Sequence, residues 1–296
     1  MSAGTGPPSR GHAVFKISSA SDGILPAMGQ AFLEHPGPIA IAHRGGAAHY
    51  PENSWPAFEH AVGLGYRYLE TDAHATADGV LLAFHDHTLD RVTDRAGRIS
   101  RMTHQDVGAA RIRGTEPIPL LEDLLTAWPH IRFNIDVKEE QVVGPLAAML
   151  HRTAAWDRVC VCSFSARRLR ALRRAAGRQV CTALSPAGVA AVRMAGNLAG
   201  YGPAVHRRLA RTGVRCAQIP VAVATRGFIR RAHALGLQVH VWTVNDGTHM
   251  TCLLDLGADG IMTDDTIMLR DVLAERGQWH PPAHPAAGRE RRVSGA

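Results

Sequence analysis

Residues 67–85 read RYLETDAHATADGVLLAFH. The stretch holds two apolar, strand-like runs, Arg67–Thr76 and Val80–His85, separated only by Ala77-Asp78-Gly79. A parallel crossover takes about a dozen residues or more. The two runs must therefore pair as a hairpin. That deduction sorts the rest of the chain, which offers further strand-like runs at Pro38–His43, Ile131–Val137, Arg158–Phe164, Gln179–Leu184, Cys216–Val221, Gln238–Val244 and Ala258–Thr263. With the arm Val80–His85 set aside, eight runs remain for one parallel sheet.

The spacing predicts helices over Ser54–Leu64, Leu120–Trp128, Ser165–Ala176, Thr225–Leu235 and Thr248–Leu256, several stopped by a glycine such as Gly65, Gly177, Gly236 or Gly257. Strands alternating with helices imply an α/β protein with a parallel sheet. Eight strands imply a (β/α)8 TIM barrel with a short hairpin excursion after strand two. The competing architecture, an open doubly wound sheet, would carry a Gly-rich phosphate loop after its first strand. His43-Arg44-Gly45-Gly46 stands there instead.

The barrel is expected over residues 37–276, with a Gly/Pro-rich N-terminal extension over 1–36 and a disordered basic tail over 277–296 that offers no apolar face to bury. No apolar run approaches the ~18 residues that span a bilayer, and the polar N-terminus lacks the apolar core of a secretory signal. A cytoplasmic protein is expected. Five cysteines, an odd number in apolar segments, suit reduced thiols. Lys and Arg outnumber Asp and Glu by 33 to 26, which favours anionic substrates but points to no specific nucleic-acid partner. Nothing in the sequence sets the oligomeric state.

Active sites of α/β barrels lie at the C-terminal ends of the strands. Polar residues crowd those ends here: His43-Arg44-Gly45 after strand one, Glu70-Thr71-Asp72 in strand two, His85-Asp86 after the arm, and Asn134-Ile135-Asp136-Val137-Lys138 in the next strand. Glu70 and Asp72, two apart on a strand, share a face. Either a cation neutralises them, with Asp136 as a third carboxylate and Mg²⁺ or Ca²⁺ as the suited ions, or they face solvent or pair with arginine. His43 and His85 both end strands on the mouth side and form a candidate acid/base pair working near neutral pH. Arg44 and Lys138 match the spread negative charge of a phosphoryl group, or else pair with the carboxylates.

His43-Arg44-Gly45, Pro51-Glu52-Asn53-Ser54, Glu70-x-Asp72, Asp78-Gly79, His85-Asp86, Asn134-Ile135-Asp136-x-Lys138, Ser163-Phe164 and Trp242-Thr243-Val244-Asn245 follow one another in this order. Across Pro38 to Leu269 the chain resembles the glycerophosphodiester phosphodiesterases. The resemblance implies His43 and His85 as the acid/base pair, Glu70, Asp72 and Asp136 as metal ligands, and a small-molecule phosphodiester as substrate. It further implies Glu52 as an acid near the first histidine, which could equally be first-turn charge of a helix. Trp242 would be an aromatic wall beside the alcohol moiety, or simply a packing residue. The third carboxylate is commonly Glu in the family and Asp here. His74, one step beyond Asp72 on the same face, is either a substrate contact or without a role, and His87 and the pair Asp264-Asp265 read as loop and cap residues.

The implied reaction is hydrolysis of glycerophosphodiesters to glycerol phosphate and an alcohol, with the substrate's own hydroxyl as a possible first nucleophile. A sphingomyelinase D-like phospholipase shares the two-histidine, three-carboxylate plan, but the intact His43-Arg44-Gly45 and Pro51-Glu52-Asn53 motifs speak against it. A third alternative is a barrel that binds phosphodiesters without turnover.

Overall fold

A computed structural model describes residues 31–177, 179–195, 209 and 212–282. Eight parallel strands close on themselves: β1 (Ile39–Ala42), β2 (Tyr68–Ala75), β6 (Arg132–Val137), β7 (Val159–Cys162), β8 (Cys181–Ala183), β9 (Val214–Pro220), β10 (Gln238–Trp242) and β11 (Gly260–Thr263). Closure comes from β1, which pairs in parallel with β11 on one side and with β2 on the other. Helices between the strands bury their apolar faces against the outside of this wall. In the helix α1 (Trp55–Gly63), Ala57, Phe58, Ala61 and Val62 face inward, and Ser54 caps the first turn by accepting from Ala57 N.

The hairpin has the pairing expected. β3 (Leu81–Ala83) runs antiparallel to β2, with Ala73 opposite Ala83 and Ala75 opposite Leu81. The arm is also the base of a longer excursion, which includes the short ribbon β4 (Arg111–Ile112) with β5 (Glu116–Pro117) and closes over its own small core of Leu82, Phe84, Leu89, Val92, Ile99, Val107, Ala110 and Ile112. Local strand patterning could not show that core, because its members lie scattered between turns.

Parts of the stretches expected as an extension and a disordered tail pack against the barrel. Phe32 and Leu33 are buried with Ile39, Ile41 and Tyr68, plugging the end of the barrel away from the site, and the Phe32 and Tyr68 rings meet edge to face at 5.3 Å. At the other terminus the tail expected to begin at residue 277 docks first: the half-buried Trp279 packs against Tyr66 with ring centroids 5.1 Å apart, and Arg67 donates to the carbonyls of His280 and Pro281. One Trp supplies the apolar face that the Pro/Ala/Arg composition conceals. Residues 1–30 and 283–296 lie outside the described residues, so the expectations made for them stand apart from these findings. Among the described residues no helix is long and apolar enough to cross a membrane. Cys160, Cys181 and Cys216 are buried free thiols, whereas Cys252 is exposed.

A chain ending at Gly277 should melt below one ending at Pro282, by an amount equivalent to about 1–3 kcal/mol, the ordinary range for losing a packed side chain. Calorimetry of the two truncations checks this, and equal melting temperatures would show that the Trp279 dock contributes nothing.

Candidate active site

The mouth of the barrel holds a cleft of about 550 Å³. His43, His85, Arg44, Lys138, Glu70, Asp72, Asp136 and Trp242 all line it, and Glu52 does not. Strand geometry explains the convergence: Glu70 and Asp72 project to one face of β2, and register sets Asp136 of β6 directly beside Asp72 and Asn134 beside Glu70. All three acids are buried, at 4, 2 and 6% exposure.

Buried carboxylates need partners. Lys138 reaches both aspartates, 2.8 Å from Asp72 Oδ1 and 2.7 Å from Asp136 Oδ2. Arg44 lies 3.3 Å from Asp72 Oδ2 through its Nε, and its backbone N–H donates to Glu70 Oε2 at 3.0 Å. That donation follows from the turn after β1, where Arg44 sits at φ 50° and Gly45 and Gly46 at φ 83° and 101°. A Cβ on Gly45 would come within 2.9 Å of Ala57 and one on Gly46 within 2.7 Å of Thr266. Glycines are required there by conformation and by space. Asn53, also left-handed at φ 53°, donates to Asp72 Oδ2 and accepts from Thr71 Oγ1. It serves the site and leaves the helix cap to Ser54.

Burial is the largest influence on each acid, opposing its charged form. For Asp72 the charges of Lys138 and Arg44 outweigh burial and hold the carboxyl below the ordinary range. For Asp136 burial prevails over Lys138, and the pKa rises. Glu70, with burial reinforced by the neighbouring charge of Asp72, is pushed up to about 7.

Both histidines turn Nδ1 toward an aspartate. His43 Nδ1 lies 2.7 Å from Asp264 Oδ1, and Asn245 in turn donates to the other oxygen of Asp264 at 2.8 Å. His85 Nδ1 lies 2.6 Å from Asp86 Oδ1. Donation to a carboxylate places the proton on Nδ1 and leaves Nε2 as the working nitrogen. The Nε2 of His43 is 3.8 Å from Glu70 Oε2. Burial depresses the His43 pKa, but Glu70 and the bond to Asp264 outweigh it and the net shift is upward. Asp86 is held at about 2, first by its hydrogen bond to Arg91. Arg91 joins Asp86 to Glu52, and Glu52 also accepts from Arg44 at 3.0 Å. Glu52 thus acts behind the cleft by holding two arginines.

Sequence reading missed Asp264, Arg91 and Gln218. Gln218 crosses from β9 to exchange hydrogen bonds with Asn134, at 2.8 and 3.3 Å. Asp264 follows the last strand, and strand-end position is the one signal that could have found it. In the same cleft Phe164, 63% exposed, stands edge-on to Trp242 at 5.9 Å, and Leu184, Pro186 and Val223 add apolar lining.

Three carboxylates share Lys138 and Arg44, Asp136 Oδ1 is buried without a hydrogen-bond partner, and the side chain paired with Glu70 is the imidazole of His43 at 3.8 Å. An all-oxygen, electron-rich set of this kind fits a hard cation. Their oxygens are not yet gathered as a ligand set: the groups of three His, Cys, Asp or Glu ligand atoms within 4.8 Å of one another, among the described residues, are Cys160–Cys181–Cys216 and His74–His87–Glu139.

The sequence profile of the "Glycerophosphoryl diester phosphodiesterase family" matches residues 43–268. A Mycobacterium tuberculosis protein named "Probable glycerophosphodiester phosphodiesterase 2" is 40% identical over 265 residues, 88% of this chain and 98% of that one. Among solved structures, a glycerophosphodiester phosphodiesterase from Agrobacterium tumefaciens superposes with a TM-score of 0.68 at 22% identity, over 80% of this chain and 99% of that one. A phosphodiesterase from Oleispira antarctica, solved with the product sn-glycerol-3-phosphate, gives 0.67 at 20% identity over 80% and 97%. At these identities both likenesses speak for the barrel alone.

Replacing Lys138 by Met should leave Asp72 and Asp136 without their shared cation and lower stability by about 3–5 kcal/mol, the cost of breaking a buried ion pair from one side. Chemical denaturation measures it. An unchanged midpoint would mean that the two carboxylates are not held by Lys138.

Proposed function

The chain belongs to the glycerophosphoryl diester phosphodiesterase family, and we propose that its barrel mouth hydrolyses glycerophosphodiesters to glycerol phosphate and an alcohol by metal-dependent catalysis with two histidines. The observation that carries this reading is that two His–Asp dyads line one cleft together with a buried, electron-rich carboxylate cluster.

Glu70, Asp72 and Asp136 would hold the divalent cation, Mg²⁺ or Ca²⁺, whose contribution when bound is Lewis-acid stabilisation of phosphoryl charge. The chain's own residues supply the rest. Arg44 and Lys138, both on the cleft wall, orient the phosphate and balance the charge that develops on its oxygens. One histidine takes the proton of the attacking hydroxyl through Nε2 as the new P–O bond forms. The other gives a proton to the departing alkoxide as the old P–O bond breaks. Asp264 and Asp86 fix the two imidazoles in the tautomer this exchange requires. The attacking hydroxyl belongs to water, or to the glycerol moiety in a cyclic-phosphate route that water then completes.

The wall of Phe164, Leu184, Val223 and Trp242 supports a second substrate reading, in which the alcohol moiety carries an apolar chain. Free thiols at all five cysteines support a cytoplasmic setting.

His43→Ala and His85→Ala should each lower kcat on a glycerophosphodiester about 10²–10⁴-fold, the effect of removing one general acid or base. Thermal melts should hardly move, since both rings face the cleft. Near-normal kcat in either variant would remove that histidine from proton transfer. Separately, EDTA should abolish turnover and added Mg²⁺ or Ca²⁺ restore it, with Asp136→Asn needing more cation for half-maximal rate. Full turnover after exhaustive dialysis against EDTA would exclude the carboxylate cluster as a metal site.

A further inference from the structure

One more side chain on the carboxylate face of β2 is left unused by hydrolysis. His74 lies two residues beyond Asp72 and is wholly buried. Its Nε2 sits 3.0 Å from the carbonyl oxygen of His85, and since a carbonyl only accepts, Nε2 carries the proton. Nδ1 therefore presents a bare lone pair, and it is buried with no hydrogen-bond partner. A neutral imidazole with one N–H on a backbone carbonyl and the other nitrogen free has the orientation that outer-shell bonds impose on metal-bound histidines.

Two further donors stand beside it. The ring of His87 meets that of His74 edge-on, centroids 5.1 Å apart, and His87 Nδ1 contacts the carboxylate of Glu139. One ligand atom from each of His74, His87 and Glu139 lies within 4.8 Å of the other two. The His87 side chain is 58% exposed, so an ion has access from solvent, while Arg98, 3.3 Å from Glu139, is the cation already in place. Two imidazoles and one carboxylate suit a borderline transition ion, in contrast to the all-oxygen set at Glu70, Asp72 and Asp136.

We propose that His74, His87 and Glu139 bind a divalent transition ion of the Zn²⁺ class, at a second site separate from the carboxylate cluster. Because His74 donates to the carbonyl of His85, an ion held there also steadies the backbone that carries this mouth histidine. The binding stands whether or not the hydrolytic reading does.

Co²⁺ is the probe, titrated into the full-length chain after EDTA has been removed and followed by visible absorption. With excess Mg²⁺ present throughout to occupy the carboxylate cluster, one equivalent of Co²⁺ should bind with ligand-field bands and Zn²⁺ should displace it. His74 is sealed within its strand, so the two outer ligands carry the test. His87→Ala and Glu139→Gln should each weaken Co²⁺ binding by at least about 10–100-fold, the loss known for outer-shell changes alone. Asp136→Asn and Cys216→Ser should retain it. The proposal is overturned if no Co²⁺ is taken up, if uptake survives both His87→Ala and Glu139→Gln, or if it disappears with Asp136→Asn or Cys216→Ser.

Discussion

Two carboxylates, Glu70 and Asp72, are buried on one face of one strand, and like charges at that spacing in a low-dielectric wall repel strongly. Much of the barrel mouth can be understood as a response. Lys138 extends from the neighbouring strand to bridge Asp72 and Asp136. The left-handed turn after β1 aims the Arg44 amide at Glu70 and its side chain at Asp72, and the close approach of that turn to α1 requires Gly45. Asn53 leaves helical geometry to donate to Asp72. Even so the balance is incomplete, since Glu70 is raised to about 7 and Asp136 keeps one oxygen without a partner. A site short of positive charge, lined by cations that are themselves engaged, fits the divalent ion and phosphoryl group proposed for it.

The histidines answer a different requirement. The proton transfer proposed for them needs imidazoles whose tautomer is fixed, and each has its own aspartate within hydrogen-bond distance. The two aspartates are themselves anchored differently, Asp264 by Asn245 and Asp86 by Arg91. Through Glu52 the Arg91 anchor connects to Arg44, so the two sides of the cleft share one ion-pair network. With Arg91 half exposed, such a network adds little net stability.

How much of this could be read in advance depended on whether the deciding contacts were local. The eight strands and the hairpin arm were legible because strand patterning is a short-range signal and a three-residue connection excludes a crossover. The two histidines, Arg44 and Lys138 were legible because each follows a strand, and the carboxylates because they interrupt strands that would otherwise be apolar. Asp264 was not, since its partner His43 lies 221 residues away and the Asp-Asp pair after the last strand reads equally well as a helix cap; Asp265 does cap that helix. The dock of Trp279 and the small core of the excursion were hidden for the same reason. His74 and His87 were visible as residues, but their convergence with Glu139 is made by three separate segments.

If this cleft cleaves a glycerophosphodiester on the side that leaves phosphate with glycerol, ³¹P NMR of the reaction will show it. With a glycerophosphodiester, Mg²⁺ or Ca²⁺ and the purified full-length protein, the diester resonance should give way to that of glycerol phosphate, with the free alcohol released. An unchanged diester resonance, or phosphate retained on the departing alcohol with glycerol set free, would contradict the account.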